Sequence, residues 1–286
     1  IAMRVSDSIQ EVRDITKECR KSGLSIGLVP TMGFLHEGHI SLIERARREN
    51  DFVIVSIFVN PTQFGPNEDF DRYPRDMARD IKACKEAGTD LIFAPKTSEM
   101  YPSENLVYVD VKMLGDSLCG AKRQGHFRGV CTVVAKLFNI ISPNKAYFGE
   151  KDAQQLRIIR QLVQDLNFDT GIVSSPIVRE ADGLALSSRN AYLSPDERKA
   201  SLCLNRSLSN AKKRIIEGER DAALIRDSII SQISSEPLAR IDYIEILNAE
   251  TFCPTDKIVH NTLVAAAVYF GNTRLIDNFT FEGETK

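Results

Sequence analysis

The stretch Leu24-Ser25-Ile26-Gly27-Leu28-Val29-Pro30-Thr31-Met32-Gly33-Phe34-Leu35-His36-Glu37-Gly38-His39, with the segment up to Val59 that follows it, decides the architecture. Residues 24–29 form an apolar run closed by Pro30, residues 39–49 repeat apolar side chains at helical spacing through Ile40, Ile43 and Ala46, and residues 52–59 are a continuous β-branched and aromatic run. A run without polar alternation suits a strand buried on both faces, and strand, helix, strand within about 35 residues is the repeating unit of a parallel sheet. The alternation continues with helices expected at 75–87, 130–141 and 153–166 and strands at 90–94, 146–148 and 172–178. After Ser194-Pro195-Asp196-Glu197, an N-cap with proline at the first helical position, the pattern changes. Helices at 195–217 and 221–234 precede strands at 241–247, 263–269 and 275–281, so a smaller α+β domain is expected from about residue 180.

The chain has 286 residues, and that length suggests about two domains. Its 37 Lys and Arg against 39 Asp and Glu leave a net charge of -2, without the concentrated positive field that nucleic acid or an anionic membrane surface requires. The longest apolar stretches, 52–59 and 263–270, are well short of the roughly 20 residues that span a bilayer, so a soluble protein is expected. Six cysteines, Cys19, Cys84, Cys119, Cys131, Cys203 and Cys253, show no CxxC spacing and read as reduced thiols, neither a disulfide framework nor a zinc site. The opening Ile1-Ala2-Met3-Arg4 lacks a basic segment followed by an apolar one, so no signal peptide and a cytoplasmic address are expected, with Met3 as the native start.

Four groups of residues carry chemistry. His36-Glu37-Gly38-His39 falls where the first strand hands over to the first helix, beyond a strand's carboxyl end, where open parallel sheets bind ligands. Free amides and the helix dipole favour an anion there, Gly38 lets a phosphate approach the backbone, and two imidazoles three residues apart can donate to phosphoryl oxygens. HExxH is absent, but Glu37 offers a carboxylate, so a metal pair stays open. Asn60 and Gln63, in Asn60-Pro61-Thr62-Gln63 after the second buried strand, offer neutral amides for a hydroxyl or carboxylate, or simply form a turn. Gly149-Glu150-Lys151-Asp152 follows another strand: Lys151 can meet a phosphate, Asp152 a ribose hydroxyl while capping the helix, and Gln155 lies one turn on. Leu186-Ser187-Ser188-Arg189, at the expected domain junction, reads as a phosphate-gripping loop or a plain linker. A further loop, 120–129, either binds an anion or crosses the surface.

An HxGH at the first strand-to-helix turn with a distant serine and arginine loop resembles the HIGH-motif nucleotidyl-transfer superfamily. Pro30-Thr31-Met32-Gly33, Phe58-Val59-Asn60-Pro61-Thr62-Gln63-Phe64, Tyr73-Pro74-Arg75, Gly125-His126-Phe127, Phe148-Gly149-Glu150-Lys151-Asp152 and Leu186-Ser187-Ser188-Arg189-Asn190 narrow the resemblance to the pantothenate synthetases, the AMP-forming pantoate:beta-alanine ligases. It implies an α/β, Rossmann-like parallel sheet with helices on both faces and a C-terminal α+β lid domain, divided as residues 1–180 for ATP and pantoate and 181–286 for the lid. It also implies a two-step reaction. ATP and (R)-pantoate give pantoyl adenylate and pyrophosphate with Mg²⁺, and beta-alanine then displaces AMP in a homodimeric cytoplasmic enzyme.

On this resemblance Met32, Gly33, Phe34, Leu35, His36, Glu37, Gly38 and His39 line ATP, with His39 as proton donor and His36 as its phosphate-binding companion. Gly149, Glu150, Lys151 and Asp152 contact ATP, Lys151 taking a catalytic part at the phosphate, while the backbone at Val178 touches adenine and Leu186, Ser187, Ser188 and Arg189 close on the triphosphate. Gln63 and Gln155 hold pantoate, and Gln63 borders beta-alanine. The chain departs from the family pattern in three places: Leu186 replaces a frequent Met, the loop reads Arg123-Gln124-Gly125-His126-Phe127-Arg128-Gly129, and the acidic cluster after Tyr73-Pro74-Arg75 is reduced to Asp76 and Asp80 flanking Arg79. Protein ligands to Mg²⁺ therefore stay open, the ion arriving mainly on ATP. Three competing readings, a nucleotidylyltransferase, an aminoacyl-tRNA synthetase relative and a non-catalytic nucleotide binder, do not account for the paired glutamines, the near-neutral charge and the combination of His36, His39, Lys151 and Arg189 respectively.

Overall fold

The computed structural model describes residues 3–283, so the reading of Ile1 and Ala2 as preceding a native start lies outside the described residues. The chain forms two compact units, one from the residues up to Glu150 together with Gln154–Pro176, the other from Lys151–Ala153 and the residues from Ile177 onward.

The first unit is built on β1 (Arg4–Ser6), β2 (Ile26–Thr31), β3 (Phe52–Ile57), β4 (Leu91–Phe93), β5 (Lys145–Gly149) and β6 (Gly171–Ser175). These lie in the order β1-β4-β3-β2-β5-β6, and every neighbouring pair is parallel. Flanking the sheet are α1 (Ile9–Lys21), α2 (Glu37–Glu49), α3 (Met77–Glu86), α4 (Thr97–Met100), α5 (Leu118–Lys122), α6 (His126–Ile141) and α7 (Ala153–Asp165). All six residues of β3 are buried, as its unbroken apolar run requires. Val29, Ile43, Val53, Val55, Ile92 and Tyr147 form a core between the sheet and α2 and α3. From β2 the chain builds outward through β3 and β4, then crosses to β5 and β6 on the other side. That reversal makes the carboxyl end of β2 the switch point of the sheet, where ligands of such folds bind.

This unit differs from expectation in several places: α6 begins at His126 rather than residue 130, β6 ends at Ser175 rather than residue 178, and α4 and α5 were not expected. β2 does not stop at Pro30 but runs through it to Thr31, opposite Ser56 and Ile57 of β3. β5 pairs only with Gly27 and Leu28, so the ladder on that side has ended before a missing N–H would matter. The elements β1 and α1 were hidden because β1 has three residues and α1 buries Val12, Thr16 and Cys19, two of which are not strongly apolar.

The second unit contains α8 (Pro195–Ala200), α9 (Leu202–Ile216), α10 (Ala222–Ser234), and β7 (Ala239–Asn248), β8 (Thr262–Phe270) and β9 (Thr273–Phe281) in a three-stranded antiparallel sheet with β8 central. Ser194 and Glu197 form the reciprocal cap that starts α8. The helix expected over 195–217 is broken at the fully buried Ser201, whose hydroxyl donates to Arg198 O at 2.7 Å. Leu204, Leu208, Ile215, Ile225, Ile229, Ile244, Val264, Val268 and Phe270 share one core. Each such side chain stabilises by about 1.5–3 kcal/mol on burial, against about 1 kcal/mol for a helix cap, so packing rather than capping sustains this unit.

Candidate active site

In the first unit three expected groups leave the carboxyl ends of three adjacent strands: Met32 to His39 after β2, Asn60 and Gln63 after β3, and Gly149 and Glu150 at the end of β5, with Gln155 on the first turn of α7. The first two groups touch, since Gln63 Nε2 lies 3.3 Å from Met32 Sδ.

His36 is the N-cap of α2, and its Nδ1 accepts the N–H of Gly38 at 3.1 Å while Nδ1 of His39 accepts the N–H of His36 at 3.3 Å. Two histidines thus build a reciprocal cap normally made by Ser or Thr with Glu. An imidazole nitrogen that accepts carries no proton, so in the neutral ring the proton resides on Nε2 of both residues. Each ring is therefore a donor at Nε2, and the ring centroids are 4.1 Å apart. The N–H groups of His36 and Gly38, expected to cradle an anion at this terminus, are instead engaged with the imidazoles. Gly38 has a second reason: a Cβ there would lie 2.8 Å from His36 Cε1 and 2.9 Å from its Nδ1, so only glycine lets the ring fold over the helix start.

The turn before His36 is held just as fully. Thr31 Oγ1 donates to Ser56 O at 2.8 Å and accepts Gly33 N–H at 3.2 Å. Phe34 adopts φ +51°, a left-handed conformation that costs a residue with a side chain about 1–2 kcal/mol. Asp80, on α3 and only 1% exposed, accepts Phe34 N–H at 2.7 Å and Leu35 N–H at 2.8 Å. Its neighbour Arg79 stacks over the Phe34 ring at 4.8 Å and donates to Leu35 O at 3.1 Å. Asp76 caps α3, accepting Arg79 N–H at 3.0 Å. Asp80 therefore has both oxygens spent on backbone amides, while the exposed Asp76 gives one oxygen to the helix cap, and no group of three or more His, Cys, Asp or Glu suited to a metal occurs among the described residues. Asp80 does not fit as a protein ligand to Mg²⁺.

Gln63 closes a single 3-10 turn, Pro61–Gln63, that begins at Asn60. Asn60 Oδ1 accepts from Thr62 N–H, Thr62 Oγ1 and the Tyr101 hydroxyl at 3.3, 2.9 and 2.9 Å, which turns its Nδ2 to donate to Gln63 Oε1 and Gly129 O, both at 3.1 Å. With its oxygen accepting, Gln63 presents its NH₂ as a donor, the polarity a substrate carboxylate or carbonyl needs. Burial pushes the Tyr101 phenol up, partly offset by its bond to Thr62.

Residues 120–129, expected as a loop, instead end α5 and open α6 around a short link at 123–125, and they support this turn. His126 Nδ1 donates to Gln63 O at 2.8 Å, and its Nε2 lies 3.1 Å from Arg123 Nη1. Arg123 is forked onto Glu68 at 2.6 and 2.8 Å. Burial would raise the Glu68 carboxyl, but the Arg123 bonds and charge win and hold it below the usual range. A Cβ at Gly129 would lie 2.4 Å from Thr62 O, so glycine inside α6 is what lets the Gln63 turn sit there. Sequence reading missed Asn60's orienting role, His126 and Gly129; an isolated glycine in an otherwise apolar helix was the available signal. It also passed over Gln154, whose buried amide binds Cys119 N, Leu114 O and Ser117 O, a structural duty.

The second unit holds the remaining residues. Lys151 and Asp152 lie in the 3-10 turn Glu150–Asp152 that leads into α7, and Asn278 Nδ2 donates to Lys151 O at 2.8 Å. Leu186 N–H donates to Val178 O at 3.0 Å, joining the two expected contact segments into a hairpin braced by the Arg179–Ala185 bridge. Ser187 caps the 3-10 turn Ser188–Tyr192 by accepting Arg189 N–H at 3.2 Å. Arg179 forks onto the buried Asp277 at 2.7 and 2.8 Å, and Arg198 bonds Glu180 and Asp182. Burial would raise Asp182, but the Arg198 bonds lower it below its ordinary value and raise Arg198 in turn.

The model of the family described as Pantoate-beta-alanine ligase matches residues 4–280. The chain belongs to that family. A relative from Clostridium botulinum (strain Langeland) named pantothenate synthetase is 56% identical over 280 residues, 98% of this chain and 100% of the relative. Another of the same name from Clostridioides difficile (strain 630) is 58% identical over 274 residues, 96% of this chain and 97% of its own. Among solved structures, the pantothenate synthetase of Thermus thermophilus is similar with a TM-score of 0.91 at 46% identity, covering 97% of this chain and 99% of the other. The pantoate-beta-alanine ligase of Francisella tularensis, complexed with beta-gamma ATP and beta-alanine, has a TM-score of 0.80 at 38% identity, covering 98% of each. As a member of the pantoate-beta-alanine ligase family this chain is a ligase, and the nucleotidylyltransferase reading is not favoured. No helix of the described residues is long and apolar enough to cross a membrane.

Proposed function

We propose that the chain condenses (R)-pantoate with beta-alanine at the expense of ATP. In the first half-reaction a pantoate carboxylate oxygen attacks the α-phosphorus, the α–β phosphate bond breaks, and pantoyl adenylate and pyrophosphate form. In the second, the amine of beta-alanine attacks the acyl carbon and AMP departs, leaving pantothenate. The observation that carries this reading is the His36–His39 cap at the switch point of the sheet, whose neutral rings hold their protons on Nε2, together with Gln63, whose accepting oxygen leaves its NH₂ as the donor. Such donors stabilise charge that develops on a phosphoryl group as pyrophosphate leaves, and require no nucleophilic side chain.

His39 is read as the proton donor, His36 as its phosphate-binding companion and Lys151 as the cation that meets the phosphates. ATP would contact Met32, Gly33, Phe34, Leu35, Glu37, Gly38, Gly149, Glu150, Asp152, the backbone of Val178, and Leu186, Ser187, Ser188 and Arg189. Gln63 and Gln155 would bind pantoate. Residues 1–180 are read as the ATP- and pantoate-binding part, and 181–286 as supplying the triphosphate-gripping loop. No step is routed through a protein-held metal; Asp80 has both carboxylate oxygens committed to backbone amides. A cytoplasmic homodimer is part of the same reading, supported by the family resemblance and by an apolar stretch, Leu106, Val107 and Met113, that is 75–88% exposed.

The test is exchange of labelled pyrophosphate into ATP. Exchange that requires pantoate, followed by AMP release when beta-alanine is added, is the expected outcome. Exchange without pantoate, or ADP in place of AMP, overturns the reading.

A further inference from the structure

A turn that carries two successive left-handed residues, Gly33 at φ +81° and Phe34 at φ +51°, does not persist on its own, because the second has a side chain. Something outside the turn must hold it, and the first turn of α3 does so at four points. Asp80 takes the N–H groups of Phe34 and Leu35, one on each carboxylate oxygen, while Arg79 takes the Leu35 carbonyl and the face of the Phe34 ring. The register of that helix turn is set in turn by Asp76, whose side chain accepts Arg79 N–H and whose carbonyl accepts Asp80 N–H at 3.0 Å. A carboxylate with 1% exposure needs compensation for lost water, and two charge-assisted amide bonds together with the positive end of α3 supply it.

His36 follows Leu35 directly. Its ring position depends on where the turn delivers its backbone, and His39 Nδ1 is bonded to that same backbone N–H. A shift of the Phe34–Leu35 peptides therefore moves both imidazoles together.

We propose that Asp80 is a positioning residue of the adenylation step: by locking the Phe34–Leu35 peptides it aims the Nε2–H groups of His36 and His39, and it does not serve as a ligand to a metal ion. This rests on the proposed ligase reaction for its catalytic consequence, but its structural half stands by itself. Misplacement of reacting groups by about 1 Å costs on the order of 100-fold in rate, while ground-state affinity depends on many contacts besides these two rings.

The test compares Asp80→Asn and Arg79→Met with the unaltered enzyme. Asn keeps the size of Asp but replaces one acceptor oxygen with a donor facing an N–H; Arg79→Met keeps the Asp80 bonds and removes only the flanking support. In pantoate-dependent pyrophosphate exchange, Asp80→Asn is expected to lower kcat about 100-fold and Arg79→Met about fivefold, with KM for ATP and pantoate within about threefold and the Mg²⁺ concentration for half-maximal rate unchanged. Imidazole ¹⁵N–¹H spectra should show the His36 and His39 signals displaced in Asp80→Asn and those of His126 and His260 unmoved. An exchange rate close to that of the unaltered enzyme, or a tenfold rise in Mg²⁺ demand with undisturbed His36 and His39 signals, overturns the proposal. If Asp80→Asn does not fold, a fivefold kcat loss at constant KM in Arg79→Met supports the clamp and no loss refutes it. If the unaltered enzyme shows no pantoate-dependent exchange, the ligase reading fails while the histidine spectra still decide whether Asp80 sets the rings.

Discussion

The turn that carries His36 and His39 and the hairpin that carries Ser187, Ser188 and Arg189 are both candidate phosphate sites, yet they are held in opposite ways. The turn is fixed through its own peptides, by one buried carboxylate, a threonine hydroxyl and an imidazole cap. The hairpin closes on its own peptides but is tied to the rest of its unit through side chains, by Arg179 on the buried Asp277 and by Arg198 reaching the more exposed Glu180 and Asp182. Buried bonds to peptide groups are little affected by salt, whereas ion pairs near the surface weaken within a Debye length. A preorganised donor array suits the place where charge develops, and a loop tied by partly exposed charges suits a segment that must re-form around a ligand.

The largest effect on this contrast is expected at the inner tie of the hairpin. Asp277→Asn leaves the partly exposed Arg179 without its anion and puts an amide in a buried carboxylate site, and should destabilise the second unit by about 2 kcal/mol in urea unfolding. A loss below about 1 kcal/mol would show that the hairpin is not anchored there. A smaller effect is expected at the outer tie: Arg198→Ala should cost under about 1 kcal/mol at low salt and nothing measurable at high salt. Because the Asp182 carboxyl is held below its ordinary value, its contribution is complete above that value and fades as pH falls through the lowered one. The gap between thermal melts of the unaltered protein and Arg198→Ala should therefore hold from about pH 6 down to the ordinary value of 3.8 and close as the pH falls below it. A gap that stays constant with pH would place the stabilisation elsewhere.

The alternation of buried strands and helices made the parallel sheet readable, because β3 and α2 satisfy opposite periodicities without ambiguity. The switch from residue 194 onward was equally legible, since Ser194, Pro195 and Glu197 carry their own start signal. The site was legible only as far as side chains that would face a ligand. What holds them was not: Asp80 lies 44 positions from His36, and nothing local distinguishes a carboxylate that accepts two distant amides from one on a solvated helix face. A second reason for Gly38 was hidden for a related cause, because the ring of His36 two residues earlier also stands where a side chain would be. Gly129 and His126 brace Gln63 across more than 60 residues, a pairing that periodicity does not encode. β1 and α1 were missed on composition, since Thr16 and Cys19 stand on the buried face where large apolar residues give the clearest period.

The most direct test of adenylate chemistry follows an oxygen atom. With pantoate carrying ¹⁸O in its carboxylate, ATP and beta-alanine, attack on the α-phosphorus transfers one labelled oxygen to the bridge, and cleavage of the acyl bond leaves it on phosphate. AMP with one ¹⁸O, and pantothenate retaining the other in its amide carbonyl, is the expected result. Unlabelled AMP, or label recovered in inorganic phosphate alongside ADP, would contradict it.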